Sequence, residues 1–536
     1  MLPFIRSLCL VSIVTALAAP LPVKAQLIPI KTTPIVSGDS GIMLPSRTLG
    51  MGGVSIAVDN PLLDPFVNPA KGARLEGLQL FALPTLYSID DEQGSGRTLT
   101  GGVTIGTPHW FAGGFLSTQR LVNTLPTIPW FEGLTVQQLQ ETKRYRSYPS
   151  PLPAPSMPRN ITWQVFTGIP LSDRGPALGL SWSGSDTERL EGYEYLYRDC
   201  LHLKHSGRSN LVRIGIFSEE EETGSAEVMI LLGASNLVHR VIHPDLRLGY
   251  YYSAYNPWIE WNWWPVAGYK WDGFLNYPAP VQIRRFEDRS RTLGFHIGGI
   301  RKFQGEFRTL GWHLTWNGKK YPKIPEYELE GMKAIPRDPG YVHAFSLGLG
   351  TSGLADGITW SWEFTLQPIF LETWGLTEDP FRNWQGAEIL PAGAKTVENR
   401  FRFLNGSMAL GCAWEREPGG LQFGARLTSY NYTIRQKDNR WDSVEKREEN
   451  WLELTPTWGG YLTFPDFRLQ YSGYIRFGTG RPGVERFWID PRNPMGSEGS
   501  LVINPSDPLA APTGKVVLEP HPVLCHQVAL IVPVKF

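Results

Sequence analysis

The chain has 536 residues with 51 basic and 51 acidic side chains, so no net charge draws it toward nucleic acid. Its 56 glycines, 20 tryptophans, 20 tyrosines and 25 phenylalanines suit a large β structure with aromatic belts, while a secreted multidomain β protein is left open by composition. After residue 25 no apolar run approaches the roughly 18–20 residues a membrane helix requires, so a mature chain that crosses a membrane must do so as a closed barrel.

Residues 1–25 read as a secretory signal peptide. Arg6 supplies the positive start, Leu8–Ala19 the apolar core, and Val23-Lys24-Ala25 a cleavage site before Gln26. Cys200, Cys412 and Cys525 remain in the mature chain; three cysteines make no disulfide framework, and their spacing matches no zinc pattern. Cys412 and Cys525 are expected as small packing residues within strands, and no metal or cofactor is expected.

Residues 26–75 carry glycine and proline without sustained alternation. Ser46-Arg47-Thr48-Leu49-Gly50-Met51-Gly52-Gly53 can turn tightly or approach another surface closely, and the strand, helix and further glycines of a nucleotide-binding fingerprint are missing. The order Arg47, Gly50, Gly52, Gly53, then Asp59, then Asn68-Pro69-Ala70 resembles the start of FadL-like outer-membrane proteins, a group that includes long-chain fatty-acid transporters and PorV-type barrels. That resemblance implies a hatch folded inside a barrel lumen, with Asn68-Pro69-Ala70 at its turn into the first strand and Arg47, Gly50, Gly52 and Gly53 as further hatch or gating residues. A surface leader is the alternative.

From residue 76 to 536 alternation recurs, which predicts an all-β fold: a transmembrane antiparallel barrel of 14–16 strands. Ile358, Trp360, Trp362, Phe364 and Leu366 alternate with Thr359, Ser361, Glu363, Thr365 and Gln367. Leu293/Phe295/Ile297, Leu310/Trp312/Leu314/Trp316 and Met408/Leu410/Cys412/Trp414 repeat the pattern. Outward tryptophan is at home among lipid headgroups. Short turns at Gly106-Thr107-Pro108, Ser172–Gly175, Glu219–Gly224, Phe303-Gln304-Gly305, Ser352–Gly357, Glu417-Pro418-Gly419 and Phe464-Pro465-Asp466 alternate with longer links. The longer links are Asp90–Arg97, Val122–Arg159, Glu191–Ser206, Leu237–Asp288, Gly318–Pro339, Gly375–Lys395, Lys437–Val444 and Gly480–His521. Periplasmic turns and extracellular loops alternate in this way, and counting gives sixteen strands. In the last strand Val528, Leu530, Val532, Val534 and Phe536 share an apolar face and resemble the signal read by the barrel-assembly machinery.

The loop Tyr145–Pro158 is proline-rich, and Tyr250–Tyr277 crowds Trp258, Trp261, Trp263, Trp264 and Trp271 into a candidate ligand-capture loop that otherwise serves as a lid or joins the headgroup belt. His296 and His313 fall on polar faces but no GxSxG run accompanies them, so hydrogen-bonded wall residues are expected rather than a catalytic pair. Glu363, Glu415, Arg426, Glu453, Arg468 and Arg476 are expected to pair with each other or with the hatch, and Glu219–Glu222 to form a solvated turn. The reading is a non-enzymatic outer-membrane channel or transporter for hydrophobic small molecules, with membrane lipid, a hydrophobic ligand and the assembly machinery as partners. A PorV-like scaffold for a surface or secreted protein is the alternative, and a general diffusion pore a third.

Overall fold

The computed structural model describes residues 27–28, 30–36, 38, 44–90, 94–122, 159–172, 175–188, 202–220, 222–244, 281–303, 307–321, 328–329, 332–333, 339–355, 357–377, 380–383, 385–485 and 515–534. The signal peptide, the tryptophan-rich and proline-rich loops and Phe536 lie outside the described residues.

Sixteen antiparallel strands close into a barrel. They are β1 (Gly77–Ile89), β2 (Gly94–Gly106), β3 (Phe111–Val122), β4 (Arg159–Pro170), β5 (Ala177–Thr187), β6 (His202–Glu220), β7 (Gly224–Pro244) and β8 (Val281–Lys302). The second half comprises β9 (Phe307–Tyr321), β10 (Gly340–Ala355), β11 (Ile358–Leu376), β12 (Lys395–Arg416), β13 (Gly419–Asp438), β14 (Ser443–Thr463), β15 (Arg468–Arg476) and β16 (Val523–Val534). Each strand pairs with its sequence neighbour, and β1 closes the sheet against β16, from Leu78 opposite Val534 to Ile89 opposite Val523. Closure leaves the barrel sheet itself without a free edge. The even count returns the chain end to the side of the short turns, where β1 begins.

Alternation decides which face is which. On β11, Trp362 is 42 % exposed and points outward, whereas Glu363 beside it is 4 % exposed and points into the lumen. Leu293, Phe295, Leu310, Trp312, Leu410, Val528 and Leu530 are exposed on the same outer wall. An apolar outer surface of this extent is solvated by hydrocarbon, not water. The buried apolar clusters therefore sit inside the barrel, between its wall and the amino-terminal segment.

Among the described residues the short connections lie where the sequence places them, although Glu219, Glu220 and Ser352–Ala355 still belong to their ladders, and several longer links are shorter than expected. Leu237 and Asp288 do not bound a loop; they are partners in the β7–β8 ladder, which continues to Pro244 and Val281. Likewise β1 and β2 join tightly, with Ile89 opposite Gly94. The reason is height. β7 has 21 residues and β8 has 22, whereas about 9–11 tilted residues suffice to cross a bilayer. Their upper halves stand in water, where the outward face no longer needs apolar side chains and the alternation fades, although the hydrogen-bond ladder goes on.

Cys525 is buried as expected, but Cys412 is exposed. Its position on β12 puts it in phase with outward Leu410 and Trp414, so it faces the membrane instead of filling the interior.

Candidate functional site

The amino-terminal segment lies against inward faces of the wall, and the wall is cut to receive it. A Cβ placed on Gly411 or Gly424 would strike the backbone of Met51, one on Gly311 that of Ile56, one on Gly179 that of Ala70, and one on Gly106 that of Leu75. These inward glycines let the segment's backbone touch the strand backbone directly. The segment itself needs glycine at Gly52 and Gly53, whose φ values of 76° and 67° are left-handed.

Two polar latches hold it. At the first, the Thr457 hydroxyl donates to Gly50 O (2.9 Å) and accepts from Gly52 N–H (2.8 Å). Gln422 donates to Arg47 O (2.6 Å), and Gln470 donates to Ser46 O (2.5 Å). The Arg426 guanidinium donates to Gly52 O (3.0 Å) and Gly53 O (2.7 Å) and pairs with Glu363 (2.9 Å). Glu363 in turn accepts from the amides of Ser55 (2.8 Å) and Ile56 (3.1 Å). Backbone groups that would otherwise be unpaired in a closed lumen are thus satisfied by wall side chains. Arg47 adds a more exposed pair with Glu415 (3.3 Å), and Lys31 one with Glu453 (2.9 Å).

The second latch lies at the turn into β1. The Asn68 side chain accepts from Ala70 N–H (3.1 Å), capping the 3-10 turn Pro69–Arg74, and donates to Glu227 (2.7 Å). Lys71 reaches the other Glu227 oxygen at 2.8 Å. Arg74 binds Glu219 (2.6 Å) and Asp59 (2.7 Å), with Asp64 at 3.6 Å. Burial opposes the charge on Lys71, yet Glu227 and Asp64 outweigh it and hold the ammonium above its ordinary pKa. Burial pushes the Asp64 carboxyl up to about 6, against the pull of Lys71, the Asn60 amide and Arg74.

Between the latches an apolar anchor forms. Phe66 is fully buried and meets Phe81, Phe115 and Phe166 edge-on, with centroids 6.0, 5.3 and 5.1 Å away. On the long-loop side the wall carries a second apolar surface. Val342, Ala344, Ile369, Leu371, Phe401 and Phe403 point inward from adjacent strands β10–β12, and Ile28 and Ile30 of the segment pack on them.

Residues singled out from sequence divide accordingly. Arg47, Gly50, Gly52 and Gly53 meet at the first latch and Asn68, Pro69 and Ala70 at the second, beside Gly215 and Gly179. Glu363, Arg426, Glu415 and Glu453 pair as expected. Arg468 does not: its guanidinium lies 3.8 Å over the Tyr461 ring, and Arg476 donates to the Tyr474 hydroxyl (3.4 Å). Glu219 is no mere solvated turn residue, because Arg74 and Lys302 (3.3 Å) hold it. His296 bonds Thr315 (2.7 Å) and approaches Glu227 (3.7 Å), and His313 bonds Ser346 (3.2 Å), so both are hydrogen-bonded wall residues. Sequence reasoning missed Phe66, Lys71, Arg74, Glu227 and Thr457. Each looks ordinary alone, and only the inward phase of Glu227 and Thr457 on their strands was there to be read.

No protein-family model matches the sequence, and no curated protein does. Among solved structures the chain is similar to a FadL homologue from Pseudomonas aeruginosa, at 11 % identity over 92 % of this chain and 100 % of that one, TM-score 0.40. It is also similar to the CymD monoaromatic hydrocarbon channel, at 9 % identity over 93 % and 99 %, TM-score 0.37. A third similarity is to the Pseudomonas putida toluene transporter TodX, at 11 % identity over 94 % and 100 %, TM-score 0.34.

Proposed function

We propose that this protein is a non-enzymatic outer-membrane barrel that binds and passes hydrophobic small molecules, with residues 26–75 acting as a hatch. The observation that carries the reading is the apolar patch on the lumen wall. Ile369, Leu371, Phe401 and Phe403 are almost completely buried, yet they face inward, where a water-filled pore has no use for them. Ile28 and Ile30 cover this surface, and such a surface suits an apolar solute once they withdraw. A lumen occupied from Ser46 to Leu75 argues against a wide diffusion pore. Barrel-assembly recognition of Val528–Phe536 and capture of solute by Trp258, Trp261, Trp263, Trp264 and Trp271 belong to the same proposal.

Uptake of a fluorescent fatty acid or an aromatic hydrocarbon into proteoliposomes tests it. The mature protein should speed uptake over empty vesicles, and conductance in planar bilayers should stay low. Deleting Gln26–Ala70 should raise conductance and abolish selectivity for apolar solutes. Uptake no faster than in empty vesicles would overturn the reading, as would deletion that leaves both uptake and conductance unchanged.

A further inference from the structure

A second site lies on the outside of the wall. Where β8, β9 and β10 rise past the apolar band on the long-loop side, their outward faces enclose a groove of about 640 Å³. At its base the Trp316 ring lies over Gly318, where a Cβ would meet it at 2.8 Å; the neighbouring outward positions are Leu293, paired with Gly318 on β8, and His343, paired with it on β10. Trp316 stacks on His343 (centroids 6.1 Å, 15° between planes), and Tyr341 meets Trp374 edge-on at 6.1 Å. The groove is therefore apolar and aromatic below.

Its upper rim is cationic. Arg291 and Lys320 both point outward and are exposed, and they stand directly opposite each other in the β8–β9 ladder. Cross-strand partners have Cβ atoms about 4.5–5.5 Å apart, and like charges so placed repel. On β12, by contrast, Lys395 pairs with Glu398 (3.1 Å) and Arg400 with Glu372 (3.5 Å). Arg291 and Lys320 make no ion pair among the described residues. Two opposed cations above an apolar slot, at the level where the outward face turns from hydrocarbon to headgroups, are complementary to one kind of molecule. It carries phosphate above and acyl chains below.

We propose that Arg291 and Lys320 bind the phosphate of an outer-leaflet phosphorylated glycolipid whose acyl chain lies in the groove against Leu293 and Trp316. An anion between the two cations relieves their repulsion, and Trp316, Tyr341 and Trp374 supply the headgroup-level aromatic surface. The commitment to a glycolipid, rather than a phospholipid, rests on the outer-membrane placement proposed above and on the site's position at the long-loop side. The site is independent of the cargo in the lumen.

Native mass spectrometry of the detergent-purified protein with added bis-phosphorylated lipid A tests this. Wild type should retain one lipid A. The double variant R291Q/K320Q should bind about 30-fold more weakly, each cation at the headgroup plane contributing about fivefold. Gly318→Leu should also weaken binding by displacing the Trp316 ring from the base of the groove, whereas Arg208→Gln, an outward cation on β6 already paired with Asp186 (3.0 Å), should not. Faster migration of unheated than heated protein in SDS gels checks that each variant is a closed barrel. Unchanged lipid A binding by a folded R291Q/K320Q protein would overturn the proposal. So would equal binding of phosphatidylglycerol, or full competition by equimolar inorganic phosphate. Because none of these readouts involves uptake, failure here is distinct from failure of the transport reading.

Discussion

Arg426 on β13 and Glu363 on β11 are two strands apart, yet their side chains meet at 2.9 Å inside the lumen, and between them they bind four backbone groups of Gly52, Gly53, Ser55 and Ile56. A carboxylate that receives two amide donors in a water-poor site holds them more strongly than a neutral oxygen would. Glu363→Gln retains one acceptor oxygen and loses the charge. It should cost about 1–3 kcal/mol of local anchoring, read as roughly fivefold to hundredfold faster hydrogen exchange at Ser55 and Ile56. The strand amides of β11 and β13 should keep their protection. Unchanged exchange at Ser55 and Ile56 would show that the pair does not anchor the segment.

The inward glycines make a sharper prediction. Gly411→Val places carbon where the Met51 backbone now lies, without touching the outer face. The barrel should still form, since valine is favoured in strands, but residues 48–56 should lose their seat. Protease sensitivity at this segment and bilayer conductance should both rise. Gly406→Ala is the control, because nothing lies within 4 Å of a Cβ there, and it should behave as wild type.

The barrel was legible because lipid imposes a rule on every strand: large apolar side chains at Ile358, Trp360, Trp362 and Phe364 have a reason to repeat only if one face meets hydrocarbon. Strand ends were less legible where β2, β7 and β8 leave the membrane and that rule lapses. Inside the lumen the sequence marked the first latch, since Glu363 and Arg426 stand out as charges in phase with serine and threonine. It did not mark the second. Glu219 sits in a run of four acids that reads as a water-exposed turn, and its partner Arg74 lies 145 residues away. No local pattern encodes a meeting of that kind. The groove on the outer wall was equally hidden, because Arg291 and Lys320 become neighbours only through the β8–β9 register.

Phe66 is the apolar counterpart of the latches. Truncating a fully buried phenylalanine costs about 3–5 kcal/mol, and here the cavity would open among Phe81, Phe115 and Phe166. Phe66→Ala should release residues 60–68 from the wall while the strand register survives. Exchange at Phe66 and Asn68 amides should rise at least a hundredfold, and Phe66→Leu should restore most of the protection.

The apolar lumen patch should govern cargo without governing folding. Ile369→Asn or Phe403→Asn puts an amide into a surface that now contacts Ile28 and its apolar neighbours. An unpaired buried amide costs about 1–3 kcal/mol, so apolar-solute affinity should fall roughly fivefold to hundredfold. Equilibrium binding of a radiolabelled fatty acid, with unheated gel mobility as the folding check, decides it. Equal affinity in a closed-barrel variant would move the solute path elsewhere in the lumen.

Asp64 gives the segment a pH dependence whose sign is fixed. Its carboxyl rises from 3.8 to about 6, chiefly through burial, with Asp59 adding to the rise and Lys71, the Asn60 amide and Arg74 opposing it. A raised pKa means the packed segment binds the proton more tightly than the released one. The stabilisation is therefore fully present below about pH 3.8 and is lost as pH climbs through about 6. Its size is at most about 3 kcal/mol, since each tenfold gain in proton affinity is worth about 1.4 kcal/mol. Exchange protection at residues 63–68, corrected for the intrinsic rate, should accordingly fall between pH 4.5 and 7.5. Asp64→Asn, neutral throughout, should flatten the profile, and a slope that persists in this variant would assign the titration to a different group.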